Sequence, residues 1–225
     1  MWWKLIILLL MGWVIVGAFI LPSPMDPNIS LGPVDVYRIF FFHVPQAWVA
    51  SLAFVMAMVY SIMFLKSKKD IYDVRAVTAN KLGLVFAILA TVTGSIFAKM
   101  TWGEFWNWSE IREVSIFILL VMYGAYFALR SAVADPDKKA SLSAVVSILF
   151  AVAAIFLIFI LPRIYAGFSQ HPSDTVVDEE GKMTMGPNVR LVFFSSLAAF
   201  TLLFLWINNL GVRTERFARK RMVEE

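Results

Sequence analysis

The sequence predicts an all-α integral membrane protein, a bundle of six transmembrane helices with both termini on the cytoplasmic side. Three observations lead there. Hydrophobic residues make up 60% of the chain and charged residues 16%, with a mean hydropathy of +0.75, whereas a soluble domain is about half apolar and a quarter charged. Six apolar runs approach the length that crosses a bilayer, roughly 20 residues at ~1.5 Å rise for a ~30 Å hydrocarbon core. The connections between them divide the basic residues unevenly. Fourteen of the 20 Lys and Arg fall in the N-terminus, the 66–81 and 130–141 connections and the tail. The positive-inside rule assigns that set to the cytoplasm.

The first run, about Leu5 to Leu21, follows Trp2, Trp3 and Lys4 and is closed by Pro22 and Pro24. No small-residue cleavage site follows it, so it reads as a retained helix and not a signal peptide. A Pro- and Gly-rich loop comes next and ends amphipathically in Val36, Tyr37, Ile39 and Phe40. The second run, about Val44 to Leu65, begins beside His43 and Pro45, and a polar basic connection covers 66–81. The third run is Leu82 to Ala98 and the fourth about Val114 to Leu129. A short turn from Arg130 to Ala140 leads to the fifth, Leu142 to Leu161, stopped by Pro162. A polar stretch, Arg163 to Asn188, precedes the sixth, about Leu191 to Leu210. The tail carries Arg213, Arg216, Arg219, Lys220 and Arg221. The chain is thus one membrane domain, 1–225, with outer loops at about 22–43, 99–113 and 162–190.

Several chemistries are excluded. There is no cysteine, hence no disulfide, thiolate metal site or CxxCH haem attachment. No nucleotide-binding loop, repeat or soluble domain is present. The net charge of +4 calls for membrane lipid and not for nucleic acid.

The outer side collects the informative residues. Three of the eight tryptophans, Trp102, Trp106 and Trp108, lie within seven residues and surround Gly103. Alone, such a run also suits an interfacial aromatic belt, but several indoles together make a platform for a flat ligand. The two histidines of the chain, His43 and His171, fall on the same side. Two imidazoles on opposite faces of a macrocycle ligate haem iron axially. Arg38, Lys99, Arg112, Arg163 or Arg190 would then pair with the haem propionates, guanidinium matching carboxylate bidentately. Zinc is the competing metal, with Glu104, Glu110, Glu113 or Asp174 completing its ligands; no HExxH spacing supports it.

These residues resemble a known family. Trp102-Gly103-x-x-Trp106-x-Trp108 is similar to the tryptophan-rich WWD motif of haem-handling proteins of cytochrome c biogenesis. Tyr37 through Trp48, around His43, is similar to the histidine segment of CcmC in that superfamily, and Pro162 through Asn188, around His171-Pro172, to its last outer loop. Phe105 replaces one motif tryptophan, and Ser109 stands where aspartate is expected, with Glu110 adjacent. Ala166, Gly167 and Phe168 stand where tryptophans usually precede the loop histidine.

The resemblance implies a platform more than a stand-alone enzyme. It would bind haem b non-covalently at the extracytoplasmic face of a prokaryotic plasma membrane. His43 and His171 would ligate the iron, the WWD segment would hold the macrocycle, and Arg38, Arg112 and Arg163 are candidate propionate contacts. The implied partners are the haem chaperone CcmE, loaded through a haem vinyl group, the ATP-driven CcmA–CcmB transporter and CcmD. Two alternatives stay open at this stage. A CcsA-type cytochrome c synthase shares the motif but adds intramembrane histidines, and a b-type electron-transfer subunit usually spreads its ligands over two depths. A permease or structural subunit would leave the His and Trp constellation to coincidence.

Overall fold

The computed structural model describes residues 2–20, 34–171, 176–177 and 180–224, with backbone alone at 34, 35 and 222–224. Among these residues, six helices are long and apolar enough to cross a membrane. In chain order the helices are α1 (Trp2–Ile20), the short α2 (Val34–Tyr37), α3 (Phe40–Ser67), α4 (Asp70–Trp102), α5 (Ile111–Ala132), α6 (Pro136–Ile155), α7 (Leu161–Ile164) and α8 (Pro187–Glu224). One π turn, Phe156–Ile160, joins α6 to α7, and the three form a single span. No strand occurs among the described residues, only an isolated antiparallel bridge between Val177 and Met183. Most of the first predicted loop, 22–33, lies outside the described residues.

The antiparallel pair α3 and α4 is the most extensive helix contact. Both helices line it with small residues. Ala50, Ala53 and Ala57 of α3 and Ala79, Ala87 and Ala90 of α4 are buried. Small side chains let membrane helices approach closely, where packing replaces the hydrophobic effect as the driving force. The register is keyed by two rings of α3 that sit over two glycines of α4. A Cβ on Gly83 would meet Phe54 Cε1 at 2.5 Å, and one on Gly94 would meet His43 Cε1 at 2.8 Å. Phe54 then stacks on Tyr123 of α5, centroids 3.8 Å apart, at the centre of the main core. α1 reaches this core through Met11 and packs chiefly on α8, with Trp3 edge-on to Trp206.

Three boundaries differ from the sequence reading. The 66–81 connection shrinks to Lys68 and Lys69. Lys68 adopts a left-handed conformation (φ 55°), donates its N–H to Phe64 O at 2.7 Å and ends α3; α4 starts at once. Its charged first turns are helical because partners on other helices replace water. Asp73 is buried and takes a bidentate ion pair from Arg130 at 2.8 and 2.7 Å. Arg219 of α8 reaches the same carboxylate at 3.0 Å and also pairs with Asp70 and Glu215. A hydropathy count reads these charges as loop because it sees no partners. The tail likewise continues α8 as helix.

Pro162 does not stop the fifth span. It occupies the first turn of α7, after the π turn. Proline removes an N–H and crowds the carbonyl four residues back. The wider π turn accommodates that crowding, and such turns often mark functional sites.

Gly83→Ala is expected to destabilise the protein by about 1–3 kcal/mol through overpacking against Phe54. Gly12→Ala, where a Cβ meets nothing within 4 Å, is the control. Thermal unfolding of the detergent-solubilised variants checks the difference.

Candidate functional site

The first turns of α3 carry His43, and a proline shapes them. Pro45 lies inside the helix and has no N–H for Phe41 O, four residues earlier. Ser196 of α8, itself fully buried, donates its hydroxyl to that orphaned carbonyl. The turn bearing His43 is therefore tied to the last helix. Phe40, next to it, stacks on Phe193 of the same helix with centroids 5.1 Å apart.

The imidazole of His43 is held by α4. Its Nδ1 lies 2.9 Å from Ala90 O and 3.2 Å from Thr93 Oγ1. A carbonyl can only accept, so Nδ1 carries the proton and Nε2 is left with its lone pair. The missing side chain of Gly94 provides the room for the ring. A lone pair on a neutral, oriented imidazole is what a metal ligand requires.

His171 follows the short 3-10 turn Ala166–Phe168 and is positioned by Glu110. Glu110 caps α5 by accepting the Arg112 N–H at 3.3 Å. Its side chain is fully buried. One carboxylate oxygen accepts the Ser169 hydroxyl at 2.6 Å and the other the Gln170 N–H at 2.7 Å. His171 Nδ1 lies 3.7 Å from Oε1, within ion-pair range but beyond a hydrogen bond, and has no hydrogen-bond partner. Burial pushes the Glu110 carboxyl upward, but the neighbouring His171, the Ser169 hydroxyl and the two backbone N–H groups outweigh it and hold the pKa down at about 2. The carboxylate is thus charged at every physiological pH. The Trp102 ring packs against His171, centroids 4.8 Å apart at 65°.

Both histidines open on one cavity of about 310 Å³ at this end of the bundle. Ligand pockets span roughly 300–1,000 Å³. Trp48, Phe97, Ile116, Leu157 and Phe159 supply apolar lining; Trp106, Arg112, Glu113 and Arg163 bring polar groups to it. Trp106 Nε1 and Arg112 Nε are buried without hydrogen-bond partners, and Arg163 Nη1 donates to Phe159 O at 2.8 Å. Glu113 accepts the Asn107 N–H, fixing the tryptophan loop against α5.

The other sequence candidates are arranged around this cavity. Gly103 ends α4 at φ 88°, a left-handed conformation that favours glycine. Its turn separates Trp102, against His171, from Trp106, in the wall. Trp108 is 65% exposed and lies edge-on to Phe117. Arg38 sits over the Phe19 ring of α1, 5.1 Å away, and does not line the cavity. For zinc, no group of three or more His, Cys, Asp or Glu among the described residues could hold a metal ion; Asp174 lies outside them. Gly94, Thr93, Ser169 and Ser196 escaped sequence reasoning. The one signal available for Ser196 was Pro45, which announces an orphaned carbonyl but not its donor.

Fold and cavity together define a polytopic membrane protein with a two-histidine cavity at one end of its bundle. The profile of the CcmC family, described as heme exporter protein C, matches residues 1–225. Heme exporter protein C of Bradyrhizobium diazoefficiens is 31% identical over 183 residues, 81% of this chain and 68% of its own. That of Paracoccus denitrificans is 31% identical over 185 residues, 82% and 75% of the two chains. A ccmC-like mitochondrial protein of cytochrome c biosynthesis from Marchantia polymorpha is 37% identical over 87 residues, 39% and 38% of the two chains. The chain belongs to the heme exporter protein C family.

Two outcomes are expected from the positioning of His43. Ser196→Ala leaves Phe41 O buried and unpaired, at a cost of about 1–3 kcal/mol, read as a lower thermal midpoint. Gly94→Ala drives a methyl into the His43 ring. Disturbing a group that orients a ligand costs about 10–100-fold in affinity, which a haem titration of the purified protein reads.

Proposed function

We propose that this protein handles haem during cytochrome c maturation, holding haem b non-covalently in the two-histidine cavity and offering it to the chaperone CcmE. The observation that carries the reading is that both histidines of the chain open on the same cavity. The residues present fit the group. His43 keeps Nε2 available because Ala90 O engages Nδ1. His171 stands on the turn held by Glu110. Arg112, with its unpartnered Nε, and Arg163 supply cations for two propionates, and Trp106 and Trp48 supply flat apolar wall. Bound haem brings the vinyl group that a chaperone's histidine attacks.

The chain's own task is orientation. The two imidazoles would hold the iron, and the Arg112 and Arg163 guanidiniums would hold the propionates. The rest of the ligand would then be left for the partner, and such positioning by itself lowers a reaction barrier. The uneven distribution of Lys and Arg supports an extracytoplasmic cavity and cytoplasmic termini. CcmA–CcmB and CcmD complete the proposed assembly in the plasma membrane.

Absorption spectra of the purified protein, oxidised and reduced, test this directly. The expected result is a low-spin bis-imidazole spectrum, lost in both His43→Ala and His171→Ala. Wild-type haem content in both variants would overturn the assignment. Haem that exchanges electrons with quinone and never loads CcmE would favour an electron carrier.

A further inference from the structure

The two histidines of the cavity are held by different chemistry. His43 Nδ1 faces the neutral carbonyl of Ala90 at 2.9 Å, inside a packed helix pair. His171 Nδ1 faces the carboxylate of Glu110 at 3.7 Å, at the junction of a loop and the start of α5. That carboxylate is fully buried, and both of its oxygens already hold the His171 turn through Ser169 and Gln170. Among the described residues no guanidinium or ammonium lies within ion-pair distance of it, and the nearby Arg112 guanidinium feels its charge only at longer range.

We propose that Glu110 is a positioning residue for His171, its carboxylate turning Nδ1 toward the charge, leaving Nε2 for the cavity and making the imidazole a stronger donor than that of His43. The inference rests on the reading of His171 as a haem ligand. A carboxylate behind a ligating imidazole fixes its tautomer and raises its basicity. The contact of 3.7 Å is about one ångström longer than a charge-assisted hydrogen bond of ~2.7–2.9 Å and within ion-pair range. A buried negative charge behind the ligand stabilises the oxidised over the reduced iron and lowers the potential of the bound haem. A plain structural role, capping α5 and latching the loop, would give no preference for a ligand that carries an N–H toward the carboxylate.

The test compares wild type with Glu110→Gln and Ser169→Ala, each loaded with haem. Glu110→Gln keeps the shape and removes the charge; it is expected to retain low-spin haem with a raised midpoint potential. Ser169→Ala removes one latch bond and keeps the charge; its potential is expected to match wild type. A Glu110→Gln protein with the wild-type potential and spectrum overturns the inference and makes Glu110 a latch only. A second measurement leaves Glu110 untouched. In His171→Gly, added imidazole replaces the side chain and can donate an N–H to the carboxylate, whereas 1-methylimidazole cannot. A preference of at least about 10-fold for imidazole, of the size expected when such an outer contact is lost, supports the inference, and equal affinities overturn it. If wild type takes up no low-spin haem, the two-histidine reading fails and the inference fails with it.

Discussion

The close approach of α3 and α4 governs the rest of the structure. His43 and Phe54 are eleven residues apart on α3, and so are their counterparts Gly94 and Gly83 on α4. Eleven residues make about three helical turns, so both rings leave α3 on one face and both hollows lie on one face of α4. A structural aromatic and a candidate ligand share the same device. Phe54, stacked on Tyr123, sets the spacing that His43 then uses to reach Ala90 O.

Around that pair the molecule separates its polar work into two ends. At one end, Asp73, Arg130, Arg219, Asp70 and Glu215 join α4, α5 and α8 through hydrogen-bonded ion pairs. At the other, charge is used sparingly and aimed. Glu110 serves the His171 turn, Glu113 serves the tryptophan loop, and Arg112 and Arg163 reach the cavity. The middle is apolar and packed with alanine. A buried charge is costly unless paired, so each of these groups has a neighbour that justifies its position, and the unpartnered Nε of Arg112 is the exception. That exception faces the cavity wall, where an anionic ligand would meet it.

What could be read from sequence followed from composition and local pattern. Six apolar runs marked the six spans, and a scarcity of histidine made His43 and His171 conspicuous. Trp106, Arg112 and Arg163 were also legible as candidates, and all three line the cavity. What could not be read depended on pairs distant in sequence. The start of α4 was hidden because Asp73 is charged and its partners lie 57 and 146 residues away. Glu110 looked like a neighbour of a departed aspartate, and only the fold brings Ser169 to it. The role of Trp102 was hidden for the same reason: only the fold brings His171 against its ring, while Trp106 and Trp108 stay edge-on to each other beyond the turn at Gly103.

The hydroxyl of Ser196 on Phe41 O ties the beginning of the site to the end of the chain. His43 sits in the second span made by the ribosome, His171 in the last loop, and Ser196 in the final span. The cavity therefore has no complete wall until the whole chain has entered the membrane. A nascent chain that stops short of the last span has His43 without the donor that settles its own turn. Synthesis order thus decides when the cavity is complete: its earliest imidazole waits for the span that carries Ser196.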